Sequence, residues 1–128
     1  TELLEPIKPL LNAGMIFEAI VLMLNNITAN SVFYKKALKL EGAVTFNQIA
    51  MKCVYEMFMN IISEKSTGKK SKYRWLTPEV ISTYYAQSLC FITEGWIAQG
   101  MDDIEPKEMA EAYMYLITRS MDDILSEL

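Results

Sequence analysis

The sequence predicts an all-α fold in a single domain. Three observations lead there. Apolar residues recur at helical spacing from end to end, and no useful length of chain alternates as a strand does. Helix start and stop signals punctuate the chain, the clearest being "LTPEV" and, further on, Gly100. The 128 residues, 52% hydrophobic and 22% charged, suit one packed core and exclude a disordered tail.

The opening "TELLEPIKPLL" reads as a helix end or short turn around Pro6 and Pro9. A first long helix is predicted from Asn12 to Thr28. A short helix follows in "NSVFYKKALKL", with Asn30 or Ser31 as its N-cap and Val32, Tyr34, Ala37 and Leu38 as packing residues. Gly42 punctuates it. The next helix covers Ala43 to Glu64, with Phe46, Ile49, Ala50, Cys53, Met57 and Ile61 on one face and Gln48, Lys52, Glu56 and Ser63 opposite.

"EKSTGKKSKYRW" holds five of the twelve basic residues: Lys65, Lys69, Lys70, Lys72 and Arg74. With Tyr73 and Trp75 beside them they could touch nucleic acid. The run is isolated in an acidic chain, so a solvated loop is the stronger reading. Thr77 then caps a helix with Pro78 at its first position and Glu79 in its first turn. That helix runs to about Gln99, where Gly100 ends it. The last helix opens at Pro106, after Ile104 and Glu105, and is predicted to continue to Leu125.

Composition excludes several functions. The net charge of −4 makes the chain a poor candidate for gripping a phosphate backbone by itself. There is no histidine, which removes the commonest general base and most zinc sites. Cys53 and Cys90 lie in apolar helical stretches without a CxxC partner, so they read as buried thiols of a cytoplasmic protein. The most apolar run, "GMIFEAIVLML", is too short to span a bilayer, and no signal peptide is visible, so no membrane partner is expected. No nucleophile motif, Gly-rich phosphate loop or metal-ligand cluster is present. The chain therefore reads as no enzyme, with no catalytic residue, cofactor or metal.

The last two helices are more apolar than surface helices of a small protein should be. On the penultimate one, Ile81, Tyr85, Leu89, Ile92 and Trp96 form one line. Tyr84, Ser88, Phe91, Gly95 and Ala98 form a second line beside it, small enough in places for another helix to approach. On the last helix, Tyr113, Ile117, Met121 and Ile124 belong to an apolar half of the circumference. A helix apolar nearly all round is buried on two sides. One side suits the domain's own core, and a two-fold copy of the chain would cover the other. The alternative is one larger core with these helices at its centre.

The segment from Thr77 to Leu125 resembles the C-terminal effector and dimerisation domain of TetR-family transcriptional regulators. The specific marks are "GWIAQGM", Gly95 to Met101, and "EPKEMAEAYMYLI", Glu105 to Ile117. "NSVFYKKAL", Asn30 to Leu38, is similar to a short helix that many members carry midway. The resemblance is closest to a subgroup that includes regulators of dihydroxyacetone kinase operons. It implies a TetR C-terminal-like helical bundle over residues 1–128, a regulatory domain whose last two helices build a four-helix dimer interface. The interface residues it implies are Tyr84, Ser88, Phe91, Ile92, Gly95, Trp96, Tyr113, Ile117, Met121 and Ile124. No helix-turn-helix unit precedes Asn12, so DNA contact is expected only through an N-terminal domain absent from this chain. A stand-alone helical protein–protein interaction module is the second reading.

Family members often bind a small apolar or amphipathic effector between the middle helices and the penultimate one. Phe17, Met23, Phe46, Met57 and Phe58 are the candidate pocket residues, with Phe91 on a helix that should converge with theirs, since Met and Phe make adaptable apolar walls. Residue by residue, core filling is the stronger reading for them. A protein co-regulator in place of a small effector needs no cavity.

Overall fold

The computed structural model describes residues 5–39, 42–65 and 71–128, with side chains in the second stretch described at 47–63 and 65. The described residues form helices and no strand: α1 (Lys8–Asn12), α2 (Ile16–Ala29), α3 (Ser31–Lys39), α4 (Gly42–Lys65), α5 (Pro78–Ala98), α6 (Pro106–Thr118) and α7 (Met121–Ser126). α4 lies along α5, α2 packs on α6, and α3 bridges α4 and α5.

The predicted first long helix starts later than Asn12, as α2 at Ile16, and the stretch read as a helix end or turn forms the short α1 before it. Gly14 takes φ +76°, a left-handed conformation that only glycine adopts at no steric cost. Its amide donates to the Leu11 carbonyl at 2.9 Å, and that of Met15 to the Leu10 carbonyl at 2.8 Å, closing α1. α2 then turns Ile20, Met23, Leu24 and Ile27 into the core. Burial of each such side chain contributes about 1.5–3 kcal/mol, which makes α2 an anchor of the fold.

α3 leaves α2 at a bend of 84° and buries no residue completely. Tyr34, Ala37 and Leu38 pack as predicted, but Val32 is 66% exposed. The inward edge is set by Tyr34 and Leu38, four residues apart, and Val32 falls outside that line.

On α4, Cys53, Met57 and Ile61 are buried and Gln48, Lys52, Glu56 and Ser63 are exposed, as the periodicity predicts. Ile49 departs from it and is exposed at the edge of the stripe. The Phe46 side chain lies outside the described residues. Phe58 meets Tyr85 of α5 with ring centroids 5.6 Å apart.

α5 begins as its sequence dictates. The Val80 amide donates to the Thr77 hydroxyl at 3.2 Å, with Pro78 and Glu79 in the first turn. It ends in two left-handed residues, Gly100 (φ +102°) and Met101 (φ +63°).

The final helix does not run through to Leu125. Arg119 is extended, and the Ser120 hydroxyl accepts from the Asp123 amide at 3.1 Å, starting α7 afresh. "SMDD" is itself a helix start, with a serine cap and two acids in the first turn. The apolar periodicity continues across the break and hides it.

In the segment from Ser71 to Trp75 the residues are exposed, and the Lys72 ammonium lies 5.6 Å from the centroid of the Tyr73 ring. No single described helix is long and apolar enough to cross a membrane.

Candidate functional site

The two apolar lines read from α5 have different fates. Leu89 and Trp96 are buried and Tyr85 and Ile92 half-buried against the protomer's own core, while Ile81, also half-buried, borders a groove at the start of α5. The second line faces outward. Tyr84 is 66% exposed and Phe91 79%, and Gly95 and Ala98 are exposed beyond them. A Cβ placed on Gly95 would meet nothing within 4 Å. Glycine inside a helix costs about 0.5–1 kcal/mol relative to alanine, and no contact with the described residues requires it here.

Ser88 sits between the two lines. Its hydroxyl donates to the Tyr85 carbonyl at 2.8 Å and lies 3.0 Å from the Tyr113 hydroxyl, which also reaches the Tyr85 carbonyl at 3.0 Å. This small polar knot joins α5 to α6. Burial pushes Tyr113 up to about 12, and the hydrogen bond from Ser88 offsets only part of that.

The structure therefore divides the ten candidate interface residues. Trp96 and Tyr113 are buried inside the protomer, 4% and 0% exposed, and offer little surface to a partner copy. The Trp96 indole donates to the Ile104 carbonyl at 2.9 Å, so its polar end is also engaged. Ser88, Ile92, Ile117 and Ile124 are half-buried. Tyr84, Phe91, Gly95 and Met121 are exposed, as are Leu116 and Leu125 nearby in the sequence.

The candidate pocket residues lie elsewhere. Met23, Met57 and Phe58 are closed into the core, and Phe17 packs against it. None of these four borders any of the three clefts that the described residues show here. They are core residues, because their helices pack directly on one another.

An open cleft of about 810 Å³ lies instead between α3, the start of α4, α5 and the α5–α6 connection. Its apolar walls include Leu38, Met51, Phe91, Trp96, Ile104 and Met109. Its polar groups are Asn47, Gln87, Glu94 and Gln99. Size and lining match those of small-molecule sites. Asn47 Nδ2 donates to the Glu94 carboxylate, tying the start of α4 to α5. The buried Cys90 thiol beside it is pushed up to about 12, by burial first and the Glu94 charge second. The resemblance places an effector between the middle helices and the penultimate one, where this cleft lies, and Phe91 is on its wall, but sequence reading named no other wall residue as part of it. The one further signal was Glu94 itself, the single charge in "SLCFITEGWIAQ".

A second groove, about 760 Å³, borders Trp75, Val80 and Tyr84 at the start of α5. Among the described residues, no group of three His, Cys, Asp or Glu side chains converges as a metal site would require.

Comparison with protein families matches residues 15–119 to the TetR-type transcriptional regulator C-terminal region. The chain belongs to this family. The matched span runs from the start of α2 to the end of α6. No curated protein and no solved structure matches the chain. TetR-type C-terminal regions are parts of transcriptional regulators, a family that is typically non-enzymatic. The "GWIAQGM" stretch has a structural role in this TetR-type region: Trp96 clasps the connection between α5 and α6.

Proposed function

We propose that this chain is the dimerisation and effector-sensing domain of a TetR-type regulator, acting in the cytoplasm. It would work with DNA only through an N-terminal helix-turn-helix domain. The observation that carries the reading is the exposed apolar line of α5, Tyr84–Phe91–Ala98 with Gly95. Large exposed apolar surface is a liability unless a partner covers it. A second copy presenting the same line satisfies two-fold symmetry, with Gly95 allowing close approach of the helices.

The cleft between α4 and α5 is the effector site in this reading. Phe91, Gly95 and Ala98 border the cleft and also belong to the exposed line. An effector seated there touches the helix that a partner copy would touch. Its differential affinity for two dimer arrangements would supply the switching energy. The subgroup of dihydroxyacetone kinase operon regulators is supported by the "GWIAQGM" and "EPKEMAEAYMYLI" motifs.

Sedimentation equilibrium at low micromolar concentration tests the reading. The wild-type chain should be a dimer. Phe91→Glu, which places a charge on the exposed line, should give a monomer with unchanged helical circular dichroism. A wild-type monomer would overturn the proposal.

A further inference from the structure

We infer that the α4–α5 cleft selects a lipophilic organic cation, an amine or quaternary onium with an apolar body. This inference rests on reading the cleft as the effector site. Among the described residues, Glu94 is the only charged residue on its wall and no Lys or Arg borders it. Lys35 and Lys39 border the smaller adjoining groove instead. The Glu94 side chain is half-buried and, among the described residues, receives one neutral donor, the Asn47 amide. A carboxylate has roughly four lone-pair sites, so most of its accepting capacity is left for a ligand.

A cation entering the cleft gains a charge-assisted contact with Glu94, roughly twice as strong as a neutral hydrogen bond. The aromatic side chains of Phe91 and Trp96 border the same space and favour a cation over an anion. Leu38, Met51, Ile104 and Met109 accept the apolar body. An anion meets the reverse: like-charge repulsion from Glu94 and no basic side chain among the described wall residues to offset it.

Isothermal titration calorimetry with two probes of matched shape and opposite charge decides the matter: tetraphenylphosphonium and tetraphenylborate. The full chain should bind the phosphonium at least about tenfold more tightly, a difference of about 1.4 kcal/mol. Glu94→Gln retains an oxygen to accept from Asn47, so the fold is kept. It should weaken phosphonium binding by about the same factor. Glu56→Gln removes an equal charge from the exposed face of α4 and should change nothing. If both probes bind alike, or if Glu94→Gln is silent or no worse than Glu56→Gln, the cation preference is wrong while the cleft stands as an effector site. If neither probe binds, the effector reading of the cleft falls too.

Discussion

Trp96 donates its indole N–H to the Ile104 carbonyl across 2.9 Å, and this bond fixes how α5 hands the chain to α6. The connection contains two successive left-handed residues, Gly100 and Met101. A non-glycine residue in that region costs of order 1–3 kcal/mol. The buried ring and its bond hold the strained turn in place. Trp96→Phe keeps most of the ring and removes the donor, leaving the Ile104 carbonyl without this partner. Stability should fall by about 1–3 kcal/mol in urea denaturation. The dimer should persist, because Trp96 lies inside the protomer. A parallel loss of dimer would place Trp96 at the interface after all.

Gly100 should tolerate no side chain. Its φ of +102° is strained for any L-residue, and an added Cβ would come within 3.3 Å of Asp102 Oδ2. Gly100→Ala should cost about 1–2 kcal/mol. Gly95→Ala should behave in the opposite sense within the protomer, raising its stability by up to about 1 kcal/mol, since open space surrounds the position. Gly95→Met should fold equally well and fail to dimerise. Measuring denaturation midpoints beside sedimentation separates the two effects.

The caps of α5 were legible because Thr77, Pro78 and Glu79 act through local geometry alone. The core face of α4 was legible for a similar reason: one stripe meets one core. Other features depended on what surrounds a helix. A helical wheel puts Trp96 and Phe91 on different lines of α5 but cannot say which line is left outward, and the resemblance implied Trp96, Tyr113 and Phe91 together at one interface. Pro9 reads as a breaker, yet it occupies the first turn of α1, where its missing N–H costs nothing. The resemblance gave the cleft's place between the helices, but its polar wall was not legible because it needs Asn47 and Glu94 from two helices at once.

Alkaline pH should weaken the fold. Cys90 is raised from 9.0 and Tyr113 from 10.0, each to about 12, chiefly by burial of the neutral form. In the unfolded chain both groups ionise earlier. Their contribution is thus complete below pH 9 and is lost as pH rises toward about 12. Tyr113→Phe should flatten the upper part of that decline. It should also cost about 0.5–1.5 kcal/mol at neutral pH, because its hydroxyl bonds at Ser88 and Tyr85 disappear. A variant whose alkaline profile superimposes on the wild type would remove Tyr113 from the account.

Ser82 and Thr93 offer a test in which substitution should help. Both lie on the core face of α5, and neither hydroxyl has a hydrogen-bond partner among the described residues. Other hydroxyls on helices of this chain do: Thr83 donates to the Glu79 carbonyl at 2.8 Å, and Thr118 to that of Met114 at 2.6 Å. Burying an unsatisfied hydroxyl costs about 1–3 kcal/mol. Thr93→Val replaces the hydroxyl with a methyl of similar size, and Ser82→Ala removes it where the surroundings are fully closed. Each should leave stability unchanged or raise it by about 1 kcal/mol, and the two should add if they act independently. Urea titration of the single and double variants reads this directly. A loss above about 1 kcal/mol in either would mean that the hydroxyl is engaged in solution, and the polar face of α5 would then extend into the core.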